Sequence, residues 1–263
     1  LEGVDVCYHL AGIRRGTTRD DFMAVNAEGT RLVAEAMVQA KARRLVLCGS
    51  LAASGPSLAG KPRREEDPFA PEEWYGESKA EAERLLFTFK DRLEVTSCRP
   101  ARIVGPGDHE NLQVFKLVEE GPILRLLGPE RRISFIDVED VVAQLVLQGE
   151  RPEAVGEAFF CSSAQTESVE SLMTYIAEVL AVQARVVPLP ESVLRGAGAL
   201  ADVLSTVSVK KLPLNRKLAK QLLAPGWTCS TEKATRLLGF TAKRCVRESV
   251  QRSGAWYREH GWL

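Results

Sequence analysis

The stretch RLVLCGS (residues 44–50) is a continuous apolar run closed by a glycine and a serine. Such a run, bounded by loop residues, marks a strand of a parallel sheet, because helices cover both of its faces. Working outward, VDVCYHL (residues 4–10), LEVTSCR (residues 93–99) and the shorter ISFI (residues 133–136) have the same character. Apolar residues at helical spacing lie between them. Leu32, Val33, Ala36, Met37 and Ala40 imply a helix over 27–42, and Ala80, Leu85, Leu86 and Phe89 imply one over 72–91. A third is expected over 137–148, with Asp137 as N-cap and Glu139-Asp140 at its positive end. Residues 50–71 are rich in glycine, proline and charge and read as a long loop.

Strands alternating with helices imply an α/β fold, a Rossmann-type doubly wound parallel sheet, over residues 1–150. Beyond this the pattern changes to a smaller C-terminal lobe over 151–263. Strands are expected there at 158–161 and 185–187, and helices at 168–180, 190–203, 231–238 and 247–260.

The 263 residues carry 35 basic and 35 acidic side chains, for a net charge of +0. Nucleic acids and anionic membranes are bound through an excess of Lys and Arg, so neither is expected as a partner. The 6 cysteines form no C-x-x-C pair, and reduced thiols in a cytoplasmic protein are the expectation. No apolar run approaches the ~20 residues of a membrane span, and no signal peptide is visible. His9 and His260 lack Cys, Asp or Glu neighbours at ligand spacing, so no metal is expected.

Tyr75 and Lys79 are four residues apart on one helix face. Taken alone, this spacing reads first as a surface pair on an amphipathic helix. Ser50, however, leaves the end of a buried strand, where parallel sheets carry functional groups. An ammonium beside a phenol stabilises the phenolate and lowers its pKa, and a hydroxyl can hold a reacting carbonyl or alcohol oxygen. The three groups suit hydride exchange with a nicotinamide, the protein supplying the proton.

Six motifs in order carry a resemblance: HLAG (residues 9–12), NAEGT (26–30), LCGSLAASG (47–55), YGESK (75–79), RPARIVGPGD (99–108) and FIDVEDVV (135–142). LLGF (237–240) and AWYREHGWL (255–263) extend it to the end of the chain. Together they resemble the extended short-chain dehydrogenase/reductases, in particular the NAD-dependent epimerase/dehydratase and 3β-hydroxysteroid dehydrogenase/dihydroflavonol reductase branches. The resemblance implies that Tyr75 is the general acid/base, that Lys79 lowers its pKa and holds the nicotinamide ribose, and that Ser50 binds the reacting oxygen. It implies that Leu10, Ala11 and Gly12 line the middle of the cofactor and that Arg99, Pro100 and Ala101 face its nicotinamide end. Asn26 would pack against the strand ending at His9, although an N-cap for the helix from 27 is an equal reading. Arg102, Asp108 and His109 are substrate candidates, or solvated loop polarity.

The family's opening glycine-rich phosphate loop has no counterpart. Gly105-x-Gly107 and Gly196-x-Gly198 are lone pairs. With Leu1 in place of Met, the expectation is that the fold's first strands, roughly 60 to 70 residues, are missing and that the first strand here has a free edge. The cofactor is therefore NAD or NADP. Three functions remain. One is ketone–secondary alcohol interconversion on a hydrophobic substrate, favoured by Val186, Val187, Leu189, Val193, Leu194 and Leu200. Another is a nucleotide-sugar epimerase or dehydratase, with Arg125, Arg131, Arg132 and Arg195 as diphosphate donors. The last is a non-catalytic NAD(P)-binding regulatory protein. A homodimer through the Tyr-Lys helix is compatible with Leu85, Leu86 and Phe89, as is ordinary core packing.

Overall fold

The computed structural model describes residues 3–207 and 216–263; Leu1 lies outside them. The chain begins with β1 (Val6–His9), α1 (Arg19–Phe22), a π-helical stretch (Met23–Glu28) that continues directly into α2 (Gly29–Gln39), and β2 (Arg44–Cys48). There follow α3 (Leu51–Ser54), α4 (Trp74–Phe87), β3 (Glu94–Pro100), β4 (Arg102–Val104), α5 (His109–Glu120), β5 (Ile123–Leu126) and β6 (Arg132–Asp137). After α6 (Val138–Glu150) come β7 (Ala158–Cys161), β8 (Thr166–Glu167), α7 (Val169–Leu180), β9 (Val186–Leu189), α8 (Glu191–Val207) and α9 (Arg216–Leu222). The chain ends with β10 (Gly226–Trp227), α10 (Glu232–Leu238) and α11 (Val246–Glu259).

The expected parallel sheet is present, in the order β1-β2-β3-β7. Because strand side chains alternate, β2 serves two cores. Leu45 and Leu47 pack under α2 and α4 with Met37, Leu86 and Phe89. Val46 packs on the other face with Ile136, Leu145 and Phe159, under α6 and α10. Leu86 and Phe89 are thus core residues and not a free dimer face.

A division of the chain at residue 150 does not separate the two lobes. β7 lies beyond it, yet pairs with β3 and completes the first sheet. β4, α5, β5 and β6 lie before it, yet build the second lobe: β6 pairs with β4 and β10, and β5 pairs with β9. Every residue of β7 is buried, so it demands a covered central sheet whatever its place in the sequence. The second lobe has its own core, in which Phe115, Phe135, Ile176 and Tyr257 join α5, α7 and α11.

The first helix starts earlier than the apolar spacing indicates. Thr18 caps α1, its hydroxyl accepting from Asp21 N while the Asp21 carboxylate accepts from the Thr18 amide. Asn26 is therefore interior to the helical run and caps nothing. Asp137 does cap α6, accepting from Glu139 N at 2.9 Å. The same fully buried carboxylate accepts from Ser249 Oγ at 2.6 Å and Arg252 Nη1 at 3.0 Å, which ties α11 to the first lobe. Among the described residues no helix is long and apolar enough to cross a membrane. All six cysteines are free, and Cys98, Cys161 and Cys229 are buried.

Replacing Asp137 with Ala removes a helix cap and two charge-assisted bonds. Because Arg252 is partly solvated, the expected cost is about 2–3 kcal/mol, read as a lower urea midpoint at unchanged slope.

Candidate active site

The site forms where β1, β2 and β3 end together. At the end of β2 the Gly49 amide donates to Cys98 O at 2.6 Å, which turns the chain so that Ser50 leaves the sheet and caps α3, accepting from Ala52 N at 3.1 Å. Helices α3 and α4 touch closely. A Cβ on Gly76 would come within 2.5 Å of Ala52 O, so the glycine next to Tyr75 lets the two helices meet. That contact brings Tyr75 beside Ser50.

Lys79 lies one turn further along α4, buried, with Nζ donating to Cys48 O at 2.6 Å. Above it runs the loop that follows β1. Asn26 fastens this loop from the π-helical stretch: Oδ1 accepts from Ile13 N at 2.7 Å, and Nδ2 donates to Ile13 O at 2.9 Å and to Ser78 Oγ at 2.9 Å. A Cβ on Gly12 would stand 2.9 Å from Asn26 Oδ1 and 3.7 Å from Lys79 Nζ, so the loop lies directly on the lysine. His9, at the end of β1, is held by Thr30 Oγ1 at 3.1 Å.

These groups open on a cleft of about 1380 Å³ between the lobes. Leu10, Gly12, Ser50, Tyr75, Lys79, Pro100 and Ala101 line it, as do the substrate candidates Arg102 and Asp108. Four of the sequence candidates do not. Asn26 acts from beneath, and Ala11 is exposed outside the lining. His109 stacks on Trp262 with centroids 4.1 Å apart. Arg99 does not face the cleft. It shares its strand face with Ser97, and both bond the buried Glu83, Arg99 Nη2 at 2.5 Å and Ser97 Oγ at 2.7 Å. The guanidinium lies between Phe69 and Phe160 and completes a closed core network.

The electrostatics differ from the expectation that Lys79 lowers Tyr75. Burial raises the Tyr75 pKa above its usual value, with the Ser50 hydroxyl and the Arg14 guanidinium acting against it. Burial also lowers Lys79. Both side chains are thereby pushed toward their neutral forms. Cys48, at the foot of the cleft, is pushed up to about 11 by burial and is inert as a thiol.

The opposite wall comes from the second lobe and is largely apolar, including Leu117, Leu124, Met173, Leu189, Leu194 and Trp227. Three of the arginines considered for a diphosphate, Arg125, Arg131 and Arg132, also line the cleft. Each has a carboxylate partner, respectively Glu170 at 3.9 Å, Glu191, and Glu130 at 2.8 Å. Arg195 is outside the lining and pairs with Glu191 at 3.6 Å. Two site residues were not singled out from sequence: Arg14, whose guanidinium carbon is 5.8 Å from the Tyr75 ring centroid, and Asn111 at the start of α5. The Arg14-Arg15 pair directly after the Gly12 turn was a readable signal.

The profile of the NAD dependent epimerase/dehydratase family matches residues 1–160. The chain is 30% identical over 274 residues to a ceramide reductase of Caulobacter vibrioides, across 100% of this chain and 77% of that protein. It is 25% identical over 273 residues to the decarboxylating sterol-4-alpha-carboxylate 3-dehydrogenase of Saccharomyces cerevisiae, across 97% of this chain and 77% of that one. Among solved structures, gox2253 superposes with a TM-score of 0.81 at 23% identity, covering 100% of this chain and 81% of that one. The dTDP-glucose 4,6-dehydratase DesIV of Streptomyces venezuelae, solved with NAD and TYD, superposes with a TM-score of 0.76 at 19% identity, covering 100% and 76%. With residues 1–160 matching the family and a 30% identical relative matched across the whole chain, the chain belongs to the NAD-dependent epimerase/dehydratase family, whose members are NAD-dependent dehydrogenases, reductases and epimerases.

Proposed function

We propose that the protein interconverts a ketone and a secondary alcohol on a hydrophobic small molecule, with NAD as hydride partner and Tyr75 as general acid/base. The observation that carries this reading is the convergence of Ser50, Tyr75 and Lys79 on one cleft whose far wall is apolar. The residues present fit the nicotinamide–ribose end of the cofactor: Gly12 lets the loop after β1 lie close on Lys79, whose Nζ, among the described residues, donates to one backbone carbonyl, Cys48 O. Leu10, Gly12, Pro100 and Ala101 would flank that end, and Lys79 would donate to the ribose hydroxyls. When bound, NAD supplies or accepts the hydride.

The chain's own groups handle the proton. Ser50 Oγ donates to the substrate oxygen and fixes its position near Tyr75. Tyr75 Oη gives its proton to that oxygen during reduction and takes it back during oxidation. Apolar side chains of the second lobe exclude water and hold the body of the substrate. Arg102 and Asp108, at the mouth, would meet its polar end. The free cysteines suit a reducing compartment, which supports a cytoplasmic location. The nucleotide-sugar alternative is less supported, because the cleft arginines it needs are already paired. A purely regulatory role leaves the Ser50–Tyr75–Lys79 convergence without a purpose.

In a panel of medium-chain and steroidal ketones with NADH, followed at 340 nm, turnover is expected to fall by about 10²- to 10⁴-fold in Tyr75→Phe. Equal turnover in parent and variant overturns the assignment. The phenol should also ionise late. Difference titration at 295 nm between parent and Tyr75→Phe is expected to place Tyr75 above the usual value of about 10, and Arg14→Ala to move it higher still. Because the native state then holds this proton more tightly than the unfolded state, the Tyr75 contribution to stability is present below about pH 10 and is lost as pH rises through the raised pKa. A Tyr75 transition below pH 10 would contradict the dominance of burial.

A further inference from the structure

Arg14 and Arg102 both line the cleft, and among the described residues Arg14 has a carboxylate partner and Arg102 has none. Arg14 reaches across from the first lobe and pairs with Glu110 at 3.0 Å; its neighbour Arg15 bonds the same carboxylate at 3.3 Å. Arg102 extends from β4, and its guanidinium donates to Asn111 Oδ1 at 3.2 Å. Asn111 is itself fixed by donating to Ile103 O at 3.2 Å, which keeps its oxygen toward the arginine. Among the described residues no carboxylate lies within ion-pair distance of Arg102. The acids nearest to it are already used: Glu110 is shared by Arg14 and Arg15, and Asp108 caps α5 by accepting from Glu110 N at 2.8 Å.

We infer that Arg102, with Arg14 beside it, is the recognition site for a carboxylate carried by the substrate close to its reacting carbon. Both arginines line the cleft that holds Tyr75. The Arg14 guanidinium carbon is 5.8 Å from the Tyr75 ring centroid, which puts this arginine at the reacting end of that cleft. The planar fork of Arg102 matches a carboxylate in two parallel bonds. The guanidinium is solvent-accessible, so an anion can reach it; burial by the cleft and the Arg14 charge act against its protonated form, and Asp108 and Glu110 act for it. Arg102 on β4 and Asn111 on α5 belong to the second lobe, which supplies the apolar wall of the cleft. Leu117 and Leu124 on the neighbouring elements line the same cleft, so the ligand is an amphiphile with an acidic head beside the reacting carbon and an apolar body.

The inference rests on Tyr75 marking the reacting end, and the test separates the two. 3-Hydroxydecanoate and its methyl ester are compared, with NAD, for calorimetric binding and for turnover in the parent, Arg102→Gln, Arg102→Lys and Tyr75→Phe. The parent is expected to bind the acid ~10- to 100-fold tighter than the ester, in line with a charge-assisted bidentate pair. Arg102→Gln should reduce the acid to the level of the ester, so that the acid-to-ester ratio falls to about one, and Arg102→Lys should recover part of the preference. Tyr75→Phe should lose turnover and keep the preference. If Tyr75→Phe keeps both, the proton-transfer reading fails and the anion site stands. The absence of any acid preference in the parent, including failure to bind either compound, overturns the inference. So does an Arg102→Gln variant that raises the KM for NAD and leaves the acid-to-ester ratio intact, because the arginine would then serve a cofactor phosphate.

Discussion

A single carbonyl, that of Cys48, receives the ammonium of Lys79, and it is placed by a strand buried on both faces. β2 can be so buried because α2 and α4 cover one face while α6 and α10 cover the other. At the end of that strand the chain leaves a rigid element beside the lysine. Ser50 is set there by the strand, Tyr75 by the contact between α3 and α4, and the overlying loop by Asn26. A shift of β2 along its partners would move all of these together. The closed Glu83–Arg99–Ser97 network beneath α4 has the matching effect from the β3 side, since it fixes the helix on the strand that lines the cleft floor.

How much of this was legible depended on whether a residue's surroundings were local. β2 and β7 were read to the residue, because a continuous apolar run has one physical explanation, a covered strand. Tyr75 and Lys79 could be placed on one face by helical spacing alone, and six ordered motifs carried the family. The segment from β4 to β5 went unread. Its strands are short and half exposed, and α5 follows a glycine–proline turn that hides its amphipathic spacing. The assignment of β7 to the first sheet was not in the sequence pattern either, because strand order is a property of long-range pairing.

The errors at the site have a common cause. Arg99 adjoins the cleft-lining Pro100 in sequence, but alternation turns it to the opposite face, where Glu83 waits in another helix. Lys79 was expected to lower the pKa of Tyr75 as an ammonium beside a phenol; the influences on Tyr75 in this structure are burial, which raises it, and Ser50 and Arg14, which lower it. Arg14 belongs to the first lobe and its carboxylate partner to the second, so the charge that reaches Tyr75 depends on how the two lobes face one another. That dependence has no signature in the local sequence.

The π-helical stretch between α1 and α2 has a bearing on how this site could change over time. One residue advances an α-helix by about 100°. A π turn takes in an additional residue without lengthening the chain's path by a full turn, so it sets the rotational phase of everything after it. Asn26 faces the loop at Ile13, and Thr30 faces His9, only in the present phase. A single-residue deletion between Met23 and Glu28 would leave a regular helix that is sound by every local measure, yet with its inward groups turned away. The surface of α2 could drift freely in composition, whereas the number of residues in this short stretch is held fixed by the site it serves.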